Sequence, residues 1–424
     1  MTHTRTWTTI FSGLLLLAGF SFGQQTLNIL THWGEELHRG PMERMVATCE
    51  AEVGVSANVR TVPFGDLFTT IVTGRAAGIA PDIYHLYNLW LPEFTGEGGM
   101  LAAPPQEAID HITAHVAPAV VEGISAGGQV WGYPTEVNTY LLIYNKRLLE
   151  EAGYDAPPST WDELKEIAAA ITQVDATGAV TQVGFGVLPG WDSGVVHPFA
   201  SLLFSNAGEY LTEDMTATAF DSPEGIETLQ LYADLLENGG MDMSVAGWEL
   251  PNGIVGMVVM ANWWRATLRA SEAIDYDTEV GVAPVPVGPS GSQSMTLSYN
   301  WLWSVDASSA SQDTAWEFLH CLNTEAEPGH GSPSGQFLVE ALGAIPSFEY
   351  DQEAHAEALG DFFLQAFVDS TQFARPEPVV AGGQEVKTIL QGEIESVLIG
   401  ATDPATALRV AGVRGDDVLE EMQR

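Results

Sequence analysis

Residues 127–164 read GGQVWGYPTEVNTYLLIYNKRLLEEAGYDAPPSTWDEL, and this stretch decides the fold. A Gly-Gly turn leads into a strand-like run that ends at Tyr144-Asn145-Lys146, and a short helix follows. Pro157-Pro158 cannot continue that helix and extend the chain before the next one. Thr160 and Glu163 have the spacing of a capping box, in which the Thr160 hydroxyl accepts from the N–H of Glu163 and the Glu163 carboxylate reaches back. The pattern is therefore strand, helix, break, helix.

The same alternation runs outward in both directions. Thr26–Trp33 is a strand pattern, the helix around Met42–Cys49 follows, and Val55–Val62 is a second strand. Phe64-Gly65-Asp66 opens another helix, and Ala80-Pro81-Asp82 leads into a strand at Ile83–Leu86. Further on, Val183–Leu188, Gly253–Met260 and Met295–Val305 read as strands. Ser222-Pro223 caps a helix, Ala315–Leu322 lies in another, and two more close the chain, one stopped by Gly400 and one capped by Asp403-Pro404. From Thr26 to Leu86, strands alternating with helices predict an α/β domain with a mainly parallel sheet, whose ligands bind beyond the carboxyl ends of the strands.

Length and charge narrow the function. At 424 residues the chain has room for two or three domains. Arg5, the apolar run Ile10–Phe20 and Ser21-Phe22-Gly23 form a signal-peptide pattern over residues 1–23, so export with Gln24 as first mature residue is expected. No cysteine follows the apolar run closely, which argues against a lipid anchor. The formal net charge is -41, and loss of Arg5 makes it more negative still. Such a surface repels phosphate backbones and anionic lipid, which excludes nucleic acid and membrane surfaces as partners. Cys49 and Cys321 are the two cysteines. Each sits on the apolar face of a predicted helix, and two separately buried thiols are the expectation, with one disulfide as the alternative.

Catalytic patterns are weak. Gly123-Ile124-Ser125-Ala126-Gly127 matches a nucleophile elbow, but the segment before it reads as helix and Gly127-Gly128 cannot start one, so a chance match is expected. The ten histidines contain no paired metal-ligand spacing, and no P-loop or dinucleotide fingerprint occurs. A carbohydrate-active enzyme, which would need two facing carboxylates, stays as the alternative function.

The twelve tryptophans say more. Trp33, Trp90, Trp191, Trp263 and Trp264 fall in loops after strands, where an indole face suits the C–H face of a sugar or a cation. Trp161, Trp303 and Trp316 are expected in the core. Trp33 and Glu35 in one loop, and Tyr87, Asn88 and Trp90 in another, are site candidates. Asn88, Asn138, Thr139, Asn206 and Ser298 would supply hydroxyl-reading hydrogen bonds.

Together, the opening stretch, A-P-D-I-Y at Ala80–Tyr84, G-I-V-G-M-V-V-M-A-N-W-W at Gly253–Trp264, A-W-E-F-L at Ala315–Leu319 and D-P-A-T-A-L at Asp403–Leu408 resemble the extracellular solute-binding proteins of ABC importers. That family includes maltose- and glycerol-phosphate-binding proteins, and the resemblance covers essentially the whole mature chain. It implies a two-lobed periplasmic-binding-protein fold of type II kind, with mixed sheets flanked by helices and strands crossing between lobes. Residues 24–137 plus 298–343 would form one lobe, and 138–297 plus 344–424 the other. The family's binding positions fall on Trp33, Tyr87, Asn88, Asn138, Thr139, Trp191, Trp263, Trp264, Ser298, Tyr299 and Arg375. Asn138 stands where many relatives carry an acid. The resemblance implies a monomeric, non-enzymatic carrier without cofactor or metal, holding a carbohydrate and docking on a membrane permease. Arg375 keeps glycerol phosphate or another anionic solute as an alternative ligand.

Overall fold

The computed structural model of the chain describes residues 25–33, 38–96, 98–422 and 424; the signal-peptide pattern and Glu35 lie outside them. The first strand, Thr26–Thr31, pairs in parallel with Ser56–Thr61 on one side and Ile83–Tyr87 on the other. The helices Arg39–Val53 and Phe64–Ala76 make the two crossovers. Beyond Ile83–Tyr87 the sheet changes character. Thr296–Val305 pairs antiparallel with it, Tyr133–Asn145 antiparallel with that, and Val255–Ala261 antiparallel again, before Val180–Gly186 restores a parallel pair. The parallel sheet expected from the strand and helix alternation holds for Thr26–Tyr87, and the sheet as a whole is mixed, as the resemblance implies, because two long strands that traverse the molecule in opposite senses occupy its middle.

Those two strands organise the molecule. Tyr133–Asn145 pairs with Thr296–Val305 from Tyr133 to Thr139, then from Tyr140 onward with Val255–Ala261. Its last residues also pair with Val280–Ala283. Thr296–Val305 makes the same kind of exchange. Thr296–Ser298 lie beside Ala374–Pro376, whereas Trp301–Val305 lie beside Ile83–Tyr87. The run YPTEVNTYLLIYN is covered on both faces almost throughout, which is why it reads as nearly continuous apolar and β-branched residues rather than as an alternation.

The local signals after it form as their chemistry requires. Asn145 Oδ1 accepts from Leu148 N at 3.1 Å and caps Lys146–Glu151. Thr160 Oγ1 accepts from Glu163 N at 3.3 Å, and the Glu163 carboxylate accepts from the N–H groups of Ser159 and Thr160. Gly127 and Gly128, at φ of 61° and 76°, turn the chain between Ser125–Ala126 and Gln129–Val130. Ser125 Oγ donates to Val121 O in that turn, so the nucleophile-elbow match belongs to a two-stranded hairpin. Trp161, Trp303 and Trp316 are buried.

Cys49 and Cys321 are joined in a disulfide with Cα atoms 5.8 Å apart, which corrects the expectation of two thiols. The apolar helix faces that carry them are packed on each other, so two small buried side chains face at bonding distance. Ile345–Pro346 pairs with Val137 and Glu136, and Asp351 in the following helix accepts from Ser332 N and Oγ. This segment therefore packs with the first half of Tyr133–Asn145. Among the described residues no helix is long and apolar enough to cross a membrane.

Candidate functional site

A cavity of about 480 Å³ opens where the two long strands exchange partners. Its walls are His32 and Trp33 after the first strand, His38, Phe64 and Gly65, and Tyr87 at the end of the Ile83–Tyr87 strand. From the other direction come Trp191, Ser193, Trp248, Trp263, Thr267 and Leu342, with Glu136, Asn138, Tyr299 and Trp301 from the crossing strands. The period of two in a strand puts Glu136 and Asn138 on one face, and Tyr299 and Trp301 on one face of the neighbour. Register places Tyr299 directly opposite Asn138.

The walls are aromatic and continuous. Trp191 stacks on Trp248 at 5.6 Å and meets Trp263 edge-on at 5.9 Å. Trp263 Nε1 donates to Tyr299 Oη at 3.0 Å. Tyr87 meets Tyr299 edge-on at 5.6 Å, and the His32 ring lies 4.0 Å from that of Trp301. Trp33 is seated deeply against Trp303 and Phe337.

Six of the lining residues also carry a buried polar atom without a partner. His32 Nδ1, Trp33 Nε1, His38 Nε2, Glu136 Oε2, Asn138 Oδ1 and Trp191 Nε1 are buried and complete no hydrogen bond within the protein. Buried polar groups are nearly always paired, so six unpaired ones among the lining residues of one cavity set that lining apart from the rest of the core. Burial, with a smaller contribution from His38, lowers His32 to about 3, so it is neutral at physiological pH. Burial raises Glu136 to about 8. Thr135, its own backbone and the indole N–H of Trp33 favour the charged form weakly, the last without completing a hydrogen bond. At neutral pH Glu136 is mostly a neutral acid, able both to donate and to accept.

Behind Tyr87 and Ser193 lies a buried ionic cluster. Lys387 Nζ is 2.9 Å from Tyr87 Oη, 2.9 Å from Ser193 Oγ, 2.7 Å from His197 Nε2 and 3.2 Å from Glu377 Oε1. Tyr87 Oη donates to Glu377. Burial, and then Lys387, hold His197 well below its ordinary value. Its Nε2 therefore accepts from Lys387, and Nδ1–H donates to Tyr140 Oη at 3.0 Å. Burial pushes Glu377 up, and Lys387 pulls it back.

Of the residues expected at the site, Trp33, Tyr87, Asn138, Trp191, Trp263 and Tyr299 line the cavity. Others are engaged elsewhere. Asn88 donates to Gly123 O and accepts from Asn300 N. Thr139 Oγ1 bonds Ser370 Oγ at 2.7 Å. Asn206 donates to Glu224 O and Glu227, and accepts from Ser290 N. Trp264 is buried behind Trp248. Ser298 faces Thr139 in the sheet and its carbonyl accepts from Glu377 N. Arg375 pairs with Glu209 and covers the Phe204 ring at 4.5 Å. Trp90 is buried and donates to Gln384. Each of these is held by contacts that the fold supplies.

His32, His38, Glu136, Ser193, Trp248 and Trp301 were not singled out from sequence. Glu136 and Trp301 could have been, since each lies two residues along a strand from an expected site residue.

Comparison with known proteins agrees with this architecture. Residues 37–327 match the bacterial extracellular solute-binding protein family, and the chain belongs to it. A binding protein of Brucella abortus is 25% identical over 397 residues, 90% of each chain. An ABC transporter solute-binding protein from Thermotoga lettingae, solved with alpha-D-tagatose, superposes with a TM-score of 0.80 at 23% identity, over 93% of this chain and 100% of that one. The cyclic alpha-maltosyl-1,6-maltose binding protein from Arthrobacter globiformis gives 0.73 at 25% identity, over 94% and 100%.

Proposed function

We propose that the chain is the substrate-binding component of an ABC importer, exported with cleavage near Gly23. It captures a neutral carbohydrate, from one to a few sugar units, and passes it to a membrane permease. The observation that carries this reading is one aromatic-walled cavity whose lining residues include six with a buried polar atom that has no protein partner. Indole faces cover the C–H faces of a sugar, and the polar atoms read its hydroxyls. A maltotriose-binding protein of Pyrococcus abyssi, 23% identical over 268 residues, is consistent with that class.

Anionic ligands fit less well, because no arginine or lysine lines the cavity among the described residues. Catalysis of glycoside hydrolysis fits less well too. It needs two facing carboxyl groups, and Glu136 is the one carboxyl among the described lining residues. The two lobes would comprise residues 24–137 with 298 to about 355, and the remainder. That moves the second boundary past the segment that packs with Val137 and Ser332. Ligand contact to both lobes would favour the closed state.

The test is a thermal-shift and calorimetry screen across neutral mono- to oligosaccharides and glycerol phosphate, with chromatography of the mixtures. A neutral sugar at 100 times its dissociation constant should add about 2.7 kcal/mol. Turnover products, or a response confined to the anion, would overturn the reading.

A further inference from the structure

The ionic cluster behind the cavity wall has no part in reading hydroxyls, yet it sits one side chain away from the ligand space. Lys387 is one of three lysines in the chain and is wholly buried. Two of its hydrogen-bond partners, Tyr87 and Ser193, are themselves wall residues. A lone ammonium there would project positive potential through two hydroxyl groups into a space whose described lining holds no lysine or arginine, at a depth where water screens little. Its counter-charge is Glu377, 3.2 Å away and 4% exposed. The next carboxylate, Asp192, is part-exposed and reaches the cluster only through Ser193 Oγ.

We propose that Glu377 is a specificity-determining residue: by cancelling the charge of Lys387 behind the wall, it makes the cavity select neutral solutes and refuse anions. This rests on the reading of the cavity as the ligand site. It assigns to a residue outside ligand contact the choice between sugars and phosphorylated or carboxylated solutes. Lys387 and Glu377 come from a helix and a loop that do not line the cavity, so the fold can hold them without affecting the hydroxyl-reading surface.

The experiment compares wild type, Glu377→Gln and the double variant Glu377→Gln/Lys387→Met at pH 6.5 and low ionic strength. The probes are inorganic phosphate, glycerol phosphate and the best neutral sugar of the screen. Glu377→Gln should bind the anions at least about tenfold more tightly than wild type, the scale of one uncompensated charge within about 7 Å. The double variant should lose that gain. A folded Glu377→Gln with wild-type anion response overturns the proposal, as does a gain that survives in the double variant. If Glu377→Gln fails to fold, Lys387→Met serves instead: without its cation Glu377 takes up a proton, as Glu136 does, so both charges leave together. Its anion response should match that of wild type, and a changed one overturns the proposal. A wild-type protein that binds no sugar overturns the site reading and this inference together, whereas the variant outcomes overturn the inference alone.

Discussion

Glu136→Gln should flatten the pH dependence of stability. Glu136 is 2% exposed, lines the cavity and has no ion-pair partner among the described residues. Burial holds it at about 8 against an ordinary 4.5. Between these values the folded protein keeps a proton that the unfolded chain has released. Folding is therefore favoured fully by this group below pH 4.5, progressively less as pH rises, and not at all above about 8. At about 1.4 kcal/mol per pH unit, the whole window is worth on the order of 4–5 kcal/mol, an upper figure because water entering the cavity softens the burial. Gln has the same shape and never ionises. Urea denaturation of wild type and variant, without ligand, at pH 5 and pH 8.5 measures the effect. Wild type should lose about 2–4 kcal/mol more than the variant over that interval. Burial also raises Asp351 to about 6 and Glu93 to about 7, so both proteins will slope downward, and only their difference reports Glu136. Parallel slopes would refute the placement of an unpaired buried carboxyl at the cavity.

Other expectations are more compact. Cys49→Ser/Cys321→Ser opens a link spanning 272 residues and should cost about 5 kcal/mol on the chain-entropy account; equal urea midpoints with and without reductant in wild type would contradict it. Trp191→Ala removes one wall of a stacked pair and should weaken sugar binding by about 1–2 kcal/mol, roughly five- to thirtyfold by calorimetry. Asn138→Ala should weaken binding about fivefold with little change in melting temperature, since Oδ1 has no protein partner to lose. Arg375→Ala should leave affinity unchanged and cost at most about 1 kcal/mol, as its ion pair with Glu209 is solvent-exposed.

What could be read from the chain alone was what local physics dictates. The capping box at Thr160, the Gly-Gly turn and the long strand each depend on neighbours in sequence, and each formed. The site was legible only where strand ends deliver residues to it. Trp263 and Trp264 show the limit. They are adjacent in a tight turn after Val255–Ala261, yet Trp263 bonds Tyr299 at the cavity and Trp264 is buried behind Trp248. Nothing in their spacing decides which indole turns inward. The disulfide was hidden for a similar reason: sequence gives an apolar face for each cysteine but not that the two faces meet. Glu136 is one of 56 acidic residues, and only the register of Tyr299 against Asn138 shows that its face is the cavity floor.

Composition does not carry over to the ligand space. The chain has a formal charge of -41, but among the described lining residues Glu136 is the one carboxyl. His32 is deprotonated because burial makes its charge too costly. Glu136 is mostly protonated at neutral pH for the same reason. Lys387 keeps Glu377 at hydrogen-bonding distance. Each device removes charge from the place where a ligand would feel it most, while the acidic surplus stays on the solvent side, where water and salt screen it. A site so arranged discriminates by hydrogen-bond geometry and aromatic contact rather than by net charge. The sign of the whole molecule therefore bears on its solubility and its docking partner, and the choice of solute is left to a few buried groups at the crossing strands and behind Tyr87.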